Sequence, residues 1–132
     1  RAQGLMQILP STAAFIMKNR DYRGKLRHDL LIPEKNIVIG EKYIQHLFKE
    51  PLIDSDIIKL LAAYNGGPGN LNKWLKNVNF DNDPLLLIET IPSRETRNYI
   101  KEVLKNYYVY NNKYLYNELK FEELASGNWT IK

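Results

Sequence analysis

Two glycines and a proline, Gly66-Gly67-Pro68, separate two helical patterns and constrain the fold more than any other stretch of the chain. Apolar residues at helical spacing predict a helix over Ser55 to Tyr64, with Asp54 or Ser55 as its N-cap. Glycine adopts positive φ without a Cβ clash, and proline suits the first turn of a helix. The sequence therefore predicts a sharp corner between two helices. The buried stripe of the second helix is predicted to consist of Leu71, Trp74 and Leu75.

The residues just before this corner carry polar groups without charge. Tyr64 and Asn65 offer a phenol and an amide, and the next helix begins with N–H groups that have no partner within the helix. Such a set suits one polar, uncharged ligand, for example a sugar with N-acetyl groups. A plain helical corner with Tyr64 in the core is the alternative, because Gly and Pro mark turns in all classes of protein.

Helical patterns account for most of the remaining chain, and no segment alternates convincingly as a strand, so the predicted fold class is mainly α. Further helices are predicted to begin near Pro10, Pro33 and Asp83-Pro84, and a long one to run from Ser93 to Tyr116. The charged stretch from Asn19 to Leu31 predicts a surface loop.

Composition limits the classes of function. The length of 132 residues suits a single domain, and no apolar run is long enough to cross a membrane. The net charge of +4 is spread along the chain, which argues against a nucleic-acid partner. His28 has no second ligand at metal spacing, so we expect no metal site, and the absence of cysteine excludes disulfides.

Three polar side chains in apolar surroundings are candidates for function. Gln7 stands between Met6 and Ile8 and must either point to solvent or bond within a partly dry place. Glu89 follows four apolar residues and could be a desolvated carboxylate with a perturbed pKa, a ligand clamp, or an exposed residue in the last helical turn. Tyr99 lies in a tyrosine-rich helix, which suits either a cleft wall or helix packing.

Four sequence blocks in order resemble the soluble lytic murein transglycosylase (SLT) domain, from Arg1 to about Tyr110. The blocks are Gly4-Leu5-Met6-Gln7-Ile8-Leu9-Pro10-Ser11-Thr12-Ala13, then Asn36-Ile37-Val38-Ile39-Gly40 with Tyr43-Ile44, then Ala62-Ala63-Tyr64-Asn65-Gly66-Gly67-Pro68-Gly69, then Ile88-Glu89-Thr90-Ile91-Pro92 with Glu95-Thr96-Arg97-Asn98-Tyr99.

The resemblance implies a lysozyme-like helical domain that cleaves the bond between N-acetylmuramic acid and N-acetylglucosamine in peptidoglycan. In that family one glutamate first protonates the glycosidic oxygen and then accepts the proton of the muramic C6 hydroxyl, which closes on C1 to give a 1,6-anhydro sugar. No cofactor is implied. The family also implies glycan strands and stem peptide as partners, a periplasmic location with possible outer-membrane association, and a monomer.

The resemblance places several residues at the substrate. Gln7 would face the N-acetyl or hydroxyl groups of muramic acid, and Tyr64 would point its phenol toward the catalytic carboxyl and the sugar, in a single groove with Gln7. The same wall would include Asn65, Gly66 and Gly67. Glu89 and Tyr99 would contact muramic acid and its peptide. Met6 and Leu9 would form an apolar floor. Gly66 stands where the family often has alanine, which we expect only to loosen the corner.

The family's catalytic glutamate belongs to a Glu-Ser motif shortly before the Gly-Leu-Met-Gln block, and the chain starts within that interval, at Arg1. We therefore assign no catalytic residue here and expect the acid upstream of Arg1. On this basis residues 1–116 are predicted to be an SLT-like domain without its first catalytic helix, inactive alone, and residues 117–132 a tail. The alternatives are a hydrolytic muramidase on the same scaffold and a non-catalytic peptidoglycan-binding module.

Overall fold

The computed structural model describes residues 1–77 and 79–110, and within these ranges the chain is helical. The α-helices are α1 (Pro10–Ile16), α2 (Pro33–Phe48), α3 (Ile57–Gly66), α4 (Pro68–Asn77), α5 (Pro84–Thr90) and α6 (Arg94–Tyr110). Two short 3-10 helices, Arg20–Arg23 and Arg27–Leu31, lie between α1 and α2. The described residues contain no strand, and an isolated antiparallel bridge joins Gln3 and Ile8. The predicted mainly α class is confirmed.

The chain divides into two compact units, Arg1–Lys49 and a second unit that begins at Glu50. The predicted tail 117–132 and the predicted end of the last helix, residues 111–116, lie outside the described residues. The boundary at residue 116 therefore stays a prediction. No helix within the described ranges is both long and apolar enough to cross a bilayer.

In the first unit, α1 packs against α2 and the first 3-10 helix, and α2 packs against the second. The prediction of a surface loop over Asn19 to Leu31 was wrong in part, because Tyr22 and Leu30 are buried there. Each 3-10 helix buries one large apolar side chain, and most of the charged side chains of the two helices are exposed. The apolar core of this unit consists of Ile8, Ala13, Ala14, Tyr22, Leu30, Ile39 and Leu47.

In the second unit, α3 packs against both α4 and α6, and α5 packs against α6. This arrangement brings the end of α3 to the side of α6, which is the region that carries the candidate site. The apolar core of this unit includes Ile58, Leu60, Ala62, Ala63, Leu71, Leu87, Ile91 and Ile100.

The start of α3 corrects one prediction. Its N-cap is Asp56, whose carboxylate accepts the N–H groups of Ile58 at 2.8 Å and Lys59 at 3.1 Å. The expected caps cannot serve, since Asp54 and Ser55 have φ of 48° and 58° and belong to the preceding turn. The helix also continues past the predicted end at Tyr64 and reaches Gly66.

The predicted start signals of the last two helices are confirmed. Asp83 caps α5 by accepting the N–H of Leu85 at 2.9 Å. Ser93 precedes α6, and its hydroxyl oxygen accepts the N–H of Thr96 at 3.2 Å. Side-chain oxygens at these positions satisfy N–H groups that have no partner in the first turn.

Candidate functional site

The corner between α3 and α4 is built on the backbone of Gly67. This residue has φ 89° and ψ 147°, a conformation that is essentially confined to glycine. Its N–H donates to the carbonyl of Ala63 at 2.8 Å, and its own carbonyl accepts the N–H of Leu71 at 3.1 Å. A Cβ at Gly67 would meet nothing within 4 Å, so the requirement for glycine is conformational.

Gly66 is required for a different reason, which is space. A Cβ at this position would lie 2.6 Å from Cη2 of Trp74 and 3.1 Å from Oγ1 of Thr96. The indole of Trp74 therefore occupies the room that a side chain at Gly66 would need. The expectation that this glycine only loosens the corner was wrong, because α4 and α6 both close onto it.

The side chain of Asn65 is fixed from across the unit. Its Oδ1 accepts a hydrogen bond of 2.8 Å from the hydroxyl of Thr96 in the first turn of α6. Thr96 is almost completely buried, with 1% of its surface exposed, whereas Asn65 is half-buried. The corner thus presents an amide that is held on one side and accessible in part.

Two half-buried tyrosines lie beside this amide. The rings of Tyr64 and Tyr99 stack with centroids 6.4 Å apart and an angle of 15° between their planes. Partial burial raises the pKa of Tyr99 above its ordinary value, which keeps its phenol protonated. Tyr64 is half-buried and not sealed in the core, and its role at a ligand stays a prediction.

Glu89 lies in the last turn of α5 and is exposed. One of its oxygens lies 2.8 Å from Nζ of Lys101. The hydrogen bond from Lys101, and then its charge, lower the pKa of Glu89 below the ordinary value. The reading of Glu89 as a desolvated carboxylate was therefore wrong: its helix turns it to solvent, although its four preceding neighbours are apolar.

In the first unit, the candidate residues lie in a tight turn closed by Gln3 and Ile8, whose backbones exchange two hydrogen bonds of 2.9 Å. Gln7 is exposed, has φ 49°, and donates from Nε2 to the carbonyl of Gly4 at 2.8 Å. A non-glycine residue in the left-handed region is strained by about 1 kcal/mol or more, and such strain is concentrated at functional sites. Gln7 therefore points to solvent in a fixed and strained conformation.

A buried asparagine holds this turn against α2. Asn36 has 0% of its surface exposed. Its Oδ1 accepts the N–H of Met6 at 2.7 Å, and its Nδ2 donates to the carbonyls of Gln3 and Leu30, both at 2.9 Å. Asn36 therefore fixes the backbone on both sides of Gly4, where any Cβ would overlap its amide.

Of the two residues predicted to form an apolar floor, Met6 packs against a neighbouring helix and Leu9 is exposed. Met6 packs closely against Gly40 of α2, where a Cβ would lie 2.8 Å from Cγ of Met6. Leu9 keeps 46% of its surface exposed. A common floor of Met6 and Leu9 for a ligand stays a prediction.

Comparison with known proteins supplies the family. The model of the transglycosylase SLT domain matches residues 1–86. The chain belongs to the SLT domain family. The soluble lytic murein transglycosylase of Salmonella typhimurium is 43% identical over 106 residues, which cover 78% of this chain and 16% of that protein. The protein of the same name from Escherichia coli is 41% identical over 104 residues, again 78% of this chain and 16% of that protein.

This SLT domain therefore spans only 16% of the length of those two relatives. No solved structure gives a significant match. The family membership and the helical fold agree with what the four sequence blocks implied.

The structure of the SLT domain brings some of the predicted residues together. Tyr64, Asn65, Gly66 and Gly67 form one corner, and Tyr99 lies against it. Gln7 belongs to the first unit and Tyr64 to the second, and the prediction that both face one groove stays a prediction. Among the described residues no group of three His, Cys, Asp or Glu side chains could hold a metal ion.

Sequence reasoning assigned no site role to the two buried polar residues that hold these elements in place, Asn36 and Thr96. The sequence could have indicated their burial, because each precedes an apolar residue of its helix by one turn. Asn36 lies on the same face as Ile39 and Gly40, and Thr96 on the same face as Ile100. A polar side chain on a buried helical face must find a hydrogen-bond partner.

Proposed function

We propose that this SLT domain is the glycan-binding part of a peptidoglycan lytic transglycosylase. The parent enzyme cleaves the β-1,4 bond between N-acetylmuramic acid and N-acetylglucosamine without water and leaves a 1,6-anhydromuramoyl end. Membership of the transglycosylase SLT family over residues 1–86 supports the reaction class. The observation that carries the proposal is the corner of Tyr64 and Asn65, which offers neutral hydrogen-bonding groups at a fixed place.

The chemistry of the corner suits an uncharged sugar. A phenol and an amide both donate and accept hydrogen bonds, so they can bind hydroxyl and N-acetyl groups without an ion pair. The stacked ring of Tyr99 restricts the motion of Tyr64, and Thr96 restricts Asn65. Fixed donors favour a substrate that is already aligned for reaction, since little reorganisation remains to be done.

The proposed reaction needs one proton-transfer group and no water. The acid gives its proton to the glycosidic oxygen, the bond to C1 breaks, and the C6 hydroxyl oxygen of the muramic ring bonds to C1. The proton of that hydroxyl returns to the carboxylate, so substrate and products have the same total mass. We assign this acid to no residue of the chain. Tyr64 would bind the sugar at the cleavage point.

Gln7 is proposed to bind the muramic ring. Its Nε2 already donates to Gly4, whereas no described residue donates a hydrogen bond to its Oε1. That oxygen can accept the N–H of an N-acetyl group or a hydroxyl of the sugar. Met6 and Leu9 would add apolar contact beside it.

The stem peptide is proposed to meet Glu89 and Lys101. This exposed ion pair offers one carboxylate and one ammonium group, and peptides of peptidoglycan carry both kinds of charge. Action on peptidoglycan places the parent protein in the periplasm or at the cell wall. Outer-membrane association and a monomeric state stay predictions.

The test is a digest of peptidoglycan sacculi with the full-length protein that carries this domain, followed by mass spectrometry of the released fragments. The proposal predicts fragments with 1,6-anhydromuramoyl ends. Fragments heavier by one water would instead indicate a hydrolytic muramidase. Binding of sacculi without release would indicate a peptidoglycan-binding module.

A pair of tyrosine variants tests the corner in the same assay. Tyr64→Phe removes one hydroxyl at the proposed cleavage point and should lower kcat/KM by about tenfold or more. Tyr107→Phe is the matched control, because Tyr107 is 53% exposed near the end of α6. Equal activity of the two variants would contradict the role of Tyr64.

A further inference from the structure

We propose that Thr96 is a positioning residue, which acts through Asn65 and aims the Nδ2 group of that amide at an uncharged oxygen of the glycan. Thr96 would touch no substrate itself. The inference rests on the proposed function, since it concerns how the same corner recognises its substrate.

The hydroxyl of Thr96 donates its hydrogen bond to Asn65 and not to its own helix. Its backbone N–H is satisfied by the hydroxyl oxygen of Ser93 at 3.2 Å. Its own hydroxyl donates to Oδ1 of Asn65 at 2.8 Å, across 31 positions of sequence. With only 1% of Thr96 exposed, water cannot easily replace either partner.

The consequence for Asn65 is a defined orientation of its amide. Because Oδ1 accepts from Thr96, the two N–H donors of Nδ2 lie on the other branch of the planar amide. No described residue accepts a hydrogen bond from Nδ2, and Asn65 is half-buried. Nδ2 therefore carries two oriented donors on a residue that keeps part of its surface exposed.

The surrounding packing makes this contact possible. Oγ1 of Thr96 would lie 3.1 Å from a Cβ at Gly66, so the missing side chain lets α6 approach the end of α3. The ring of Trp74 fills the space beside it. Rotation of Asn65 would break its hydrogen bond to the hydroxyl of Thr96, a residue that is almost completely buried.

The chemistry of Nδ2 identifies the class of ligand atom. An N–H donor without positive charge favours a neutral oxygen acceptor, which on a muramyl glycan is an N-acetyl carbonyl or a ring hydroxyl. A carboxylate of the stem peptide would be better matched by Arg or Lys.

The test compares three variants of the full-length protein with the wild type. Thr96→Val keeps the shape and removes the hydroxyl, Thr96→Ser keeps the hydroxyl, and Asn65→Ala removes the amide. We expect Thr96→Val to lower kcat/KM for the release of soluble fragments from sacculi by about tenfold, and Thr96→Ser to stay within about twofold of the wild type.

The double variant separates positioning from a merely structural role. If Thr96 acts through Asn65, then Thr96→Val adds no further loss in the Asn65→Ala background. A structural role would give the same loss in both backgrounds and would overturn the inference. Wild-type activity of Thr96→Val would also overturn it.

The matched control is Thr90→Val, because within the described part of the chain the hydroxyl of Thr90 donates to carbonyls of its own helix, Leu86 at 2.8 Å and Leu87 at 3.1 Å. Removal of that hydroxyl should leave the rate within about twofold of the wild type. Thermal unfolding of each variant shows whether a loss of activity reflects unfolding.

The proposed function and this inference can fail separately. Fragments that carry an added water would refute the lytic reaction, while the Thr96 comparison would still stand on the rates. If the wild type releases nothing, the dissociation constant for a peptide-free tetrasaccharide of alternating N-acetylglucosamine and N-acetylmuramic acid replaces the rate. The same pattern across the variants then supports the inference, and absence of binding by the wild type overturns it.

Discussion

Replacement of Asn36 by alanine should detach the turn that carries Gln7 from the helix that supports it. The change removes all three hydrogen bonds of the buried amide: one accepted from Met6 at 2.7 Å, and two donated to Gln3 and Leu30 at 2.9 Å. No water can take over these bonds without entering a site where Asn36 is 0% exposed. The N–H of Met6 would therefore lose this acceptor, the carbonyl of Leu30 would lose this donor, and the carbonyl of Gln3 would keep only the N–H of Ile8.

The magnitude follows from the number of bonds. A neutral hydrogen bond contributes about 1 kcal/mol net, so three of them amount to about 3 kcal/mol of the free energy of unfolding. For a chain of this length that loss corresponds to a fall in Tm of about 10 °C. The fall can be measured by circular dichroism during thermal unfolding of the 132-residue chain.

Hydrogen exchange gives a local reading of the same change. The amide of Met6 should exchange faster in Asn36→Ala, because its acceptor is gone. Gln45→Ala is the control, since it truncates an exposed amide in the same helix and should change stability by about 0.5 kcal/mol or less. If both variants unfold within about 2 °C of the wild type, the hydrogen-bond argument is refuted.

Two further predictions concern packing and charge. Gly40→Ala should lower the free energy of unfolding in urea by about 1 kcal/mol, because overpacking against Met6, 2.8 Å from the new Cβ, outweighs the better helix propensity of alanine. Met6→Ala in that background should recover part of the loss, and a stabilised Gly40→Ala would contradict the packing. Lys101→Met should raise the pKa of Glu89 toward its ordinary value of 4.5 in an NMR titration, whereas Lys105→Met should leave it lowered. Since the pKa of Glu89 is lowered in the folded state, the stabilisation from this ion pair is present above the ordinary carboxyl pKa. It is lost as the pH falls through the lowered pKa of the folded state. An unchanged pKa of Glu89 in Lys101→Met would show that a group other than Lys101 lowers it.

Features that depend on neighbours in sequence could be predicted from the sequence. The corner at Gly66 and Gly67, the cap at Asp83 and the start at Ser93 follow from backbone sterics and from first-turn N–H groups. The cap of α3 was missed because Asp54, Ser55 and Asp56 are all chemically suitable. Only the turn conformation selected Asp56.

The exposure of a side chain depends on which face of its helix packs against the neighbouring helix, and this could not be predicted from the sequence. Glu89 follows four apolar residues and is nevertheless exposed, because α5 packs on α6 through its other side and Lys101 of α6 reaches the carboxylate. The sign of its pKa shift was therefore set by a partner 12 positions away and not by the residues beside it.

The sequence by itself determined the helical class, the family and the positions of most turns, because these depend on side-chain periodicity and on the local conformations of Gly, Pro and Asx residues. The tertiary structure alone decided which polar groups became fixed. Thr96 meets Asn65 across 31 positions, and Asn36 meets Gln3 across 33. Such contacts arise only when helices pack, since a buried polar group takes whichever partner the packing brings within hydrogen-bond distance.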